Sequence, residues 1–178
     1  MAKDIALFNI LTNNLMSVAR EMSADFLRSA YSVVIREAAD CSTFLADAKG
    51  RILAQPQDQP LHMNSVSRAL TGALSKIDAT NLTEDDAIIL NDPYSGGQHL
   101  SDIYIFSPIV HDGKLVAFAC TTGHHADLGH SAGFNLYARD IFEERFRFCP
   151  MVFSVSRDWN GGILEQVLRS NLRIPRDT

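Results

Sequence analysis

The chain has 178 residues, of which 46% are apolar and 21% charged, and a formal net charge of −5. That length and balance suit one globular domain able to bury a core. The acidic excess, free of like-charge blocks, argues against nucleic acid or an anionic membrane as partner, and no apolar run is long enough to span a bilayer.

The start, Met-Ala-Lys-Asp, has no basic segment leading into an apolar one, so no secretion signal is expected. From Asp4 to about Ala39 apolar residues recur at helical spacing: Ile5, Phe8, Leu11, Leu15, Val18, Met22, Phe26, Ala30, Val33. The spacing predicts one long helix, or two joined near Ser23. The apolar arc is wide, with Leu7, Leu11, Leu15 and Val18 running beside Phe8, Met22 and Phe26. Ile5 to Val34 is therefore expected to need more cover than this chain supplies. At Cys41 the period changes. Residues 41–56, CSTFLADAKGRILAQP, predict strand, tight turn at Lys49-Gly50, strand, closed by Pro56 and Pro60. MNSVSRALTGALSKI predicts an amphipathic helix with Asn64 or Ser65 as N-cap. An acidic turn then leads into a buried strand, Ala87 to Leu90. Asn91 to Ser101, with Pro93, Gly96 and Gly97, is a loop.

The clearest hairpin follows, with Asp112-Gly113 as the turn and Ile103–Val110 and Leu115–Thr121 as the arms. A second loop runs from Gly123 to Gly133. After it, DIFEERFRF suits a turn of helix or an extended edge, MVFSVS a short strand, and ILEQVLRSNLR a helix stopped by Pro175. The class is α+β: residues 1–39 helical, then a mainly antiparallel sheet with flanking helices over 40–178. Cys41, Cys120 and Cys149, odd in number and far apart, suit reduced thiols and a cytoplasmic location.

A hairpin returns its two outer ends to one edge of a sheet. His99 and Asp102 lie just before the first arm; His124, His125 and Asp127 lie just after the second. Two imidazoles and a carboxylate converging in this way suit a divalent metal with positions left open for substrate. Polar residues are also ordinary in loops, so the spacing alone leaves a metal site and a polar turn both open. A non-haem iron site usually has His-x-Asp, whereas here two residues intervene. There is no phosphate-cradling glycine loop followed by Lys-Ser/Thr and no Gly-x-Ser-x-Gly elbow. Asp92 and Tyr94 are expected near the pocket, Asp92 either orienting a ligand imidazole or closing an Asx-turn before Pro93. Neighbours in an extended segment point to opposite sides, so His124 and His125 should not both be ligands. His125 or Asp127 is expected to contact substrate or hold a ligand in place. His130 and His62 are taken as ordinary polar residues.

These motifs resemble a known family. NDPYSGGQHLSDI is similar to the Asn-Asp-Pro-Tyr…Gly-Gly-x-His-x-x-Asp segment of the hydantoinase B/oxoprolinase family, and TTGHHADLGH to its His-His-x-Asp-x-Gly segment. RSAYSVVIREAADCSTFLADAKGRILAQ, PLHMNSVSRAL and ILEQVLRSNLRIP resemble further family segments, so the likeness covers nearly the whole chain. In EERFRFCP, Arg145 stands where the family has Gly and Cys149 where it has the first Pro of a pair, which bears on loop geometry and substrate fit. Family members are several times longer, so 1–178 resembles the N-terminal part of a B-type unit.

The resemblance implies ATP-dependent chemistry at a carbonyl: ring-opening hydrolysis of hydantoins, 5-oxoproline or lactams, or carboxylation of acetone or acetophenone. It implies a hydantoinase A-type partner subunit that binds ATP, and the remaining C-terminal part of the B-type unit. It also implies a metal held by His99, Asp102 and His124, manganese or zinc rather than iron, because the family chemistry has no redox step. A cyclic amide hydrolase is the first expectation and a ketone carboxylase the second. A non-catalytic assembly subunit is the third.

Overall fold

The computed structural model describes residues 2–129 and 135–176; His130 lies outside them. Helix α1 spans Ala2–Ser29 and a short helix α2 spans Val33–Ala38. The break between them falls at residues 30–32 rather than near Ser23. No Gly or Pro ends α1, and the bend is a packing effect. Phe26 of α1 and Ile35 of α2 both close on Gly123, where an added Cβ would lie 2.9 Å from Ile35 Cδ1 and 3.2 Å from Phe26 Cζ. Ala39 then adopts left-handed backbone with φ 52° and turns the chain into the sheet.

Strands β1 (Cys41–Asp47) and β2 (Ile52–Ala54) form the turn-linked pair expected around Lys49-Gly50. A 3-10 turn at Pro60–His62 leads into α3 (Ser65–Leu74), and β3 spans Asp86–Leu90. The hairpin strands β4 (Asp102–His111) and β5 (Lys114–His124) are longer at their open end than the sequence spacing predicts. Positive φ at both Asp112 (50°) and Gly113 (69°) fits the mirror-image turn that matches strand twist. Short α4 (Ile141–Glu144), β6 (Met151–Ser154), α5 (Val155–Asp158) and α6 (Ile163–Asn171) complete the described chain. The six strands pair antiparallel in the order β2-β1-β5-β4-β3-β6.

Strand alternation sorts the side chains onto two faces. Phe44, Ile88, Tyr104, Phe106 and Phe118 pack with Val66 and Leu70 of α3 on one face. Ile89, Ile103 and Phe153 pack with Leu128, Phe148 and Leu164 of α6 on the other, where Ala19 of α1 also meets Leu45 and Ala54. Residues 4–14 of α1 are exposed in this chain, Ile5, Phe8 and Leu11 among them. Among the described residues no helix is long and apolar enough to cross a membrane.

Candidate metal centre

The hairpin register ends on the pair Asp102↔His124. Paired residues of adjacent strands share a face, so this carboxylate and imidazole continue the row of Tyr104, Phe106, Cys120 and Phe118 on the α3 side. His124 Nδ1 lies 2.9 Å from Asp102 Oδ1. His99 reaches the same point from the loop before β4, where the Asp102 N–H donates to the His99 carbonyl at 2.9 Å. Its ring stacks on His124, with centroids 5.3 Å apart and planes 13° from parallel.

One donor atom from each of His99, Asp102 and His124 falls within 4.8 Å of the others. Metal–ligand bonds of about 2.0–2.2 Å put two ligands at most about 4.4 Å apart, so small side-chain rotations would close this set on an ion. Two nitrogens and a carboxylate suit zinc, manganese or iron rather than a calcium cage of oxygens. Burial lowers the pKa of His99 below its ordinary value; Asp102 and Glu144 oppose that shift, while His124 and Arg145 add to it. The neutral imidazole so favoured is the form that binds metal.

Two further residues belong to this cluster and were not singled out as ligands by spacing. Asp40, just before β1, places Oδ2 3.9 Å from His124 Nδ1, and its carbonyl accepts the His124 N–H at 2.9 Å. His62, taken above as an ordinary polar residue, is only 2% exposed and stands behind both carboxylates. Neither lies near the hairpin in sequence. The Asp40 signal was its place directly before the first strand of the sheet; nothing in the spacing marked His62. Glu144 adds a carboxylate 3.5 Å from His99 Nε2. Arg145, the departure from the family pattern, is buried, and its guanidinium donates to the Ala126 carbonyl at 3.4 Å.

The other expected site residues are placed elsewhere. His125 points to the opposite face of the sheet, as alternation requires. There it lines a cavity of about 790 Å³ between the sheet residues Ile103 and Ile105 and the α6 residues Leu164 and Leu168. Among the described residues its buried Nδ1 has no hydrogen-bond partner, and burial, helped by the His124 charge, lowers its pKa to about 4. Asp127 ties the loop after β5 to the C-terminal segment, accepting from Gly129 N at 3.0 Å, Arg173 N at 2.6 Å and Arg173 Nη1 at 3.3 Å. Burial alone would raise its pKa, but the N–H groups of Arg173, Gly129 and Ile174 and the Arg173 charge outweigh it and hold the carboxyl below the usual range.

Asp92 is buried and caps the 3-10 turn Pro93–Ser95, accepting from Tyr94 N at 3.2 Å and Ser95 Oγ at 2.6 Å, with Arg147 Nη1 3.6 Å away. This is the Asx-turn alternative. Tyr94, expected near the pocket rather than in solvent, is 78% exposed. Asp92 still shapes the site through the backbone: its carbonyl accepts from Gly97 N at 3.0 Å, two residues before His99. Gly96, with φ +97°, lets this loop lie against α3, since an added Cβ would meet the Arg68 carbonyl at 2.4 Å.

The sequence matches the hydantoinase B/oxoprolinase family over residues 4–178. It is 33% identical to 5-oxoprolinase 1 of Arabidopsis thaliana over 126 residues, 71% of this chain and 10% of that protein. The crystal structure of the ATP-dependent caprolactamase from Pseudomonas jessenii superposes with a TM-score of 0.78 at 25% identity, covering 94% of this chain and 29% of that one. A nucleotide-free acetone carboxylase structure shares the fold, with a TM-score of 0.80 at 17% identity over 98% of this chain and 23% of that one. The chain spans less than a third of the length of these relatives. Motif match over nearly every residue and common architecture together show that this chain belongs to the hydantoinase B/oxoprolinase family.

Proposed function

We propose that this chain is the metal-bearing part of a B-type catalytic subunit that opens a cyclic amide in an ATP-dependent reaction. The observation that carries this reading is the convergence of His99, Asp102 and His124 at the open end of the β4–β5 hairpin. Its family relatives include 5-oxoprolinases and a caprolactamase β subunit. When bound there, a divalent cation, manganese or zinc in preference to iron, supplies Lewis acidity toward a carbonyl or carboxyl oxygen.

The chain's own residues prepare that site. Asp102 is bonded to His124 and fixes the orientation of that ring; Asp40 adds negative charge beside it. His99 stays neutral through burial, with Glu144 beside its Nε2. In this reading His125 and Asp127 set the shape of the loop that follows His124, with His125 facing the apolar cavity. ATP is bound by a hydantoinase A-type partner, and the remaining C-terminal part of the B-type unit completes the pocket. The three cysteines are unpaired, which suits a cytoplasmic complex.

A ketone carboxylase is the second reading, favoured by the fold shared with acetone carboxylase. A non-catalytic assembly subunit is the third. The test uses the whole protein with its A-type partner, ATP and added zinc or manganese. It is offered 5-oxoproline, hydantoin and caprolactam, or acetone with bicarbonate. ATP-dependent ring opening that is lost in Asp102→Ala is the expected result. Carboxylation without ring opening would move the assignment to the second reading. Turnover of neither class by the metal-loaded complex would move it to the third.

A further inference from the structure

His62 does not appear among the ligands, yet its side chain is among the most constrained at the site. Its backbone is fixed by the Ser65 hydroxyl, which donates to the His62 carbonyl at 3.1 Å and receives the Tyr104 hydroxyl at 2.9 Å. Its ring is fixed by Ser42, whose Oγ lies 3.1 Å from Nδ1. Tyr104 is two residues from Asp102 on β4, and Ser42 is paired with Thr122 of β5, two residues from His124. The residue is therefore tied by its backbone, through Ser65, to β4 and by its ring, through Ser42, to β1, the strand paired with β5.

The other ring nitrogen, Nε2, faces two carboxylates: Asp40 Oδ1 at 3.8 Å and Asp102 Oδ2 at 4.0 Å. The remaining oxygen of each acid, Asp40 Oδ2 and Asp102 Oδ1, faces His124 Nδ1, at 3.9 and 2.9 Å. Each carboxylate is thus bracketed by two imidazoles, one oxygen to each. A lone pair on Nε2 aimed at two anions would be repelled, so Nε2 carries the proton. In the neutral ring Nδ1 then accepts from the Ser42 hydroxyl.

Resting on the metal centre proposed above, we infer that His62 is its positioning residue. The Nε2–H attracts the rear oxygens of Asp40 and Asp102 and turns their front oxygens toward His124 and the cation. Groups that orient ligands from behind in this way typically change metal affinity by about 10–100-fold when removed. Both gaps are longer than a hydrogen bond, so the hold is electrostatic, and one N–H serves two acids without closing fully on either. That arrangement would let both carboxylates swing toward an ion while keeping them from turning away from it.

The experiment measures zinc dissociation constants by chelator competition, and the visible spectrum of the cobalt-substituted form, on the whole protein carrying this chain. The variants are His62→Leu, His62→Gln and Ser42→Ala. His62→Leu should weaken zinc about 10–100-fold and alter the cobalt bands. His62→Gln, which puts an amide N–H near the Nε2 position, should restore affinity to within about threefold of wild type, a rescue that mere cavity filling does not give. Ser42→Ala should fall between them. Wild-type affinity and cobalt spectrum in His62→Leu would overturn the inference, as would a His62→Gln variant as weak as His62→Leu. If His62→Leu does not fold, His62→Gln and Ser42→Ala decide: near-wild-type binding in the first with weakened binding in the second supports the inference, and any other pair of results overturns it. A wild type that binds neither zinc nor cobalt fails the metal centre itself, a result distinct from failure of His62 alone.

Discussion

His124 and His125 are adjacent in sequence and occupy opposite chemical worlds. His124 closes strand β5 on the α3 face, 2.9 Å from one carboxylate and 3.9 Å from another, stacked on a second imidazole. His125 faces apolar side chains across the sheet, with a buried Nδ1 that has no partner among the described residues. Composition does not separate them; the two-residue period of the strand does. A histidine pair at a strand end is thus one candidate ligand and one wall residue, and the register decides which is which.

The largest effect expected from this contrast is on metal-linked stability. An ion that binds only the folded chain, supplied at about 1,000 times its dissociation constant, stabilises by about 4 kcal/mol. For a domain of this size that raises Tm by roughly 8–16 °C. Thermal melts with and without zinc should show this increment in wild type and in His125→Ala, and none in His124→Ala. An increment that survives in His124→Ala would break the comparison.

Asp127 gives a smaller effect, on the loop that follows both histidines. Asp127→Asn turns an acceptor of backbone N–H groups from Gly129, Arg173 and Ile174 and of an Arg173 side-chain contact into a side chain with one donor end facing donors. Hydrogen bonds to charged groups contribute about 1.5–3 kcal/mol, so urea melts at pH 7 should show a loss of about 2 kcal/mol. Because the folded pKa of Asp127 is depressed, its contribution is fully present above the unfolded value of about 3.9. It is lost as pH falls through the folded pKa. The gap between wild type and Asp127→Asn should therefore narrow below about pH 4, and a gap constant with pH would contradict the electrostatic account.

The smallest effect has the opposite sign. His125→Leu replaces an unpartnered buried nitrogen with apolar surface in an apolar wall and should gain about 1 kcal/mol. Calorimetry that finds it destabilised by that amount would mean the ring has a partner or ligand in the functioning protein.

Much of the frame was legible in the sequence. The hairpin around Asp112-Gly113 carries its own turn chemistry, and its open end places Asp102 opposite His124 once the strands are extended by a few residues. The bend of α1 into α2 was not legible, because it arises from Phe26 and Ile35 meeting at Gly123, a contact no local pattern encodes. Asp92 resolved to its turn role because the Tyr94 N–H and the Ser95 hydroxyl, donors close to it in sequence, claim its oxygens before any distant imidazole. His62 and Asp40 were missed for the converse reason: they join the cluster by sheet order, which puts β1 beside β5 and the α3 entry over both, and sheet order has no sequence period.

The proposed cation, held by His99, Asp102 and His124, is tested most directly by elemental analysis with plasma mass spectrometry. The whole protein should carry close to one manganese or zinc ion per chain, and so should His125→Ala. His99→Ala, Asp102→Ala and His124→Ala should each lose most of it, with Asp102→Ala lower in metal than Asp127→Ala. Full occupancy in all three ligand variants, or loss in His125→Ala with retention in His124→Ala, would contradict the site assigned here.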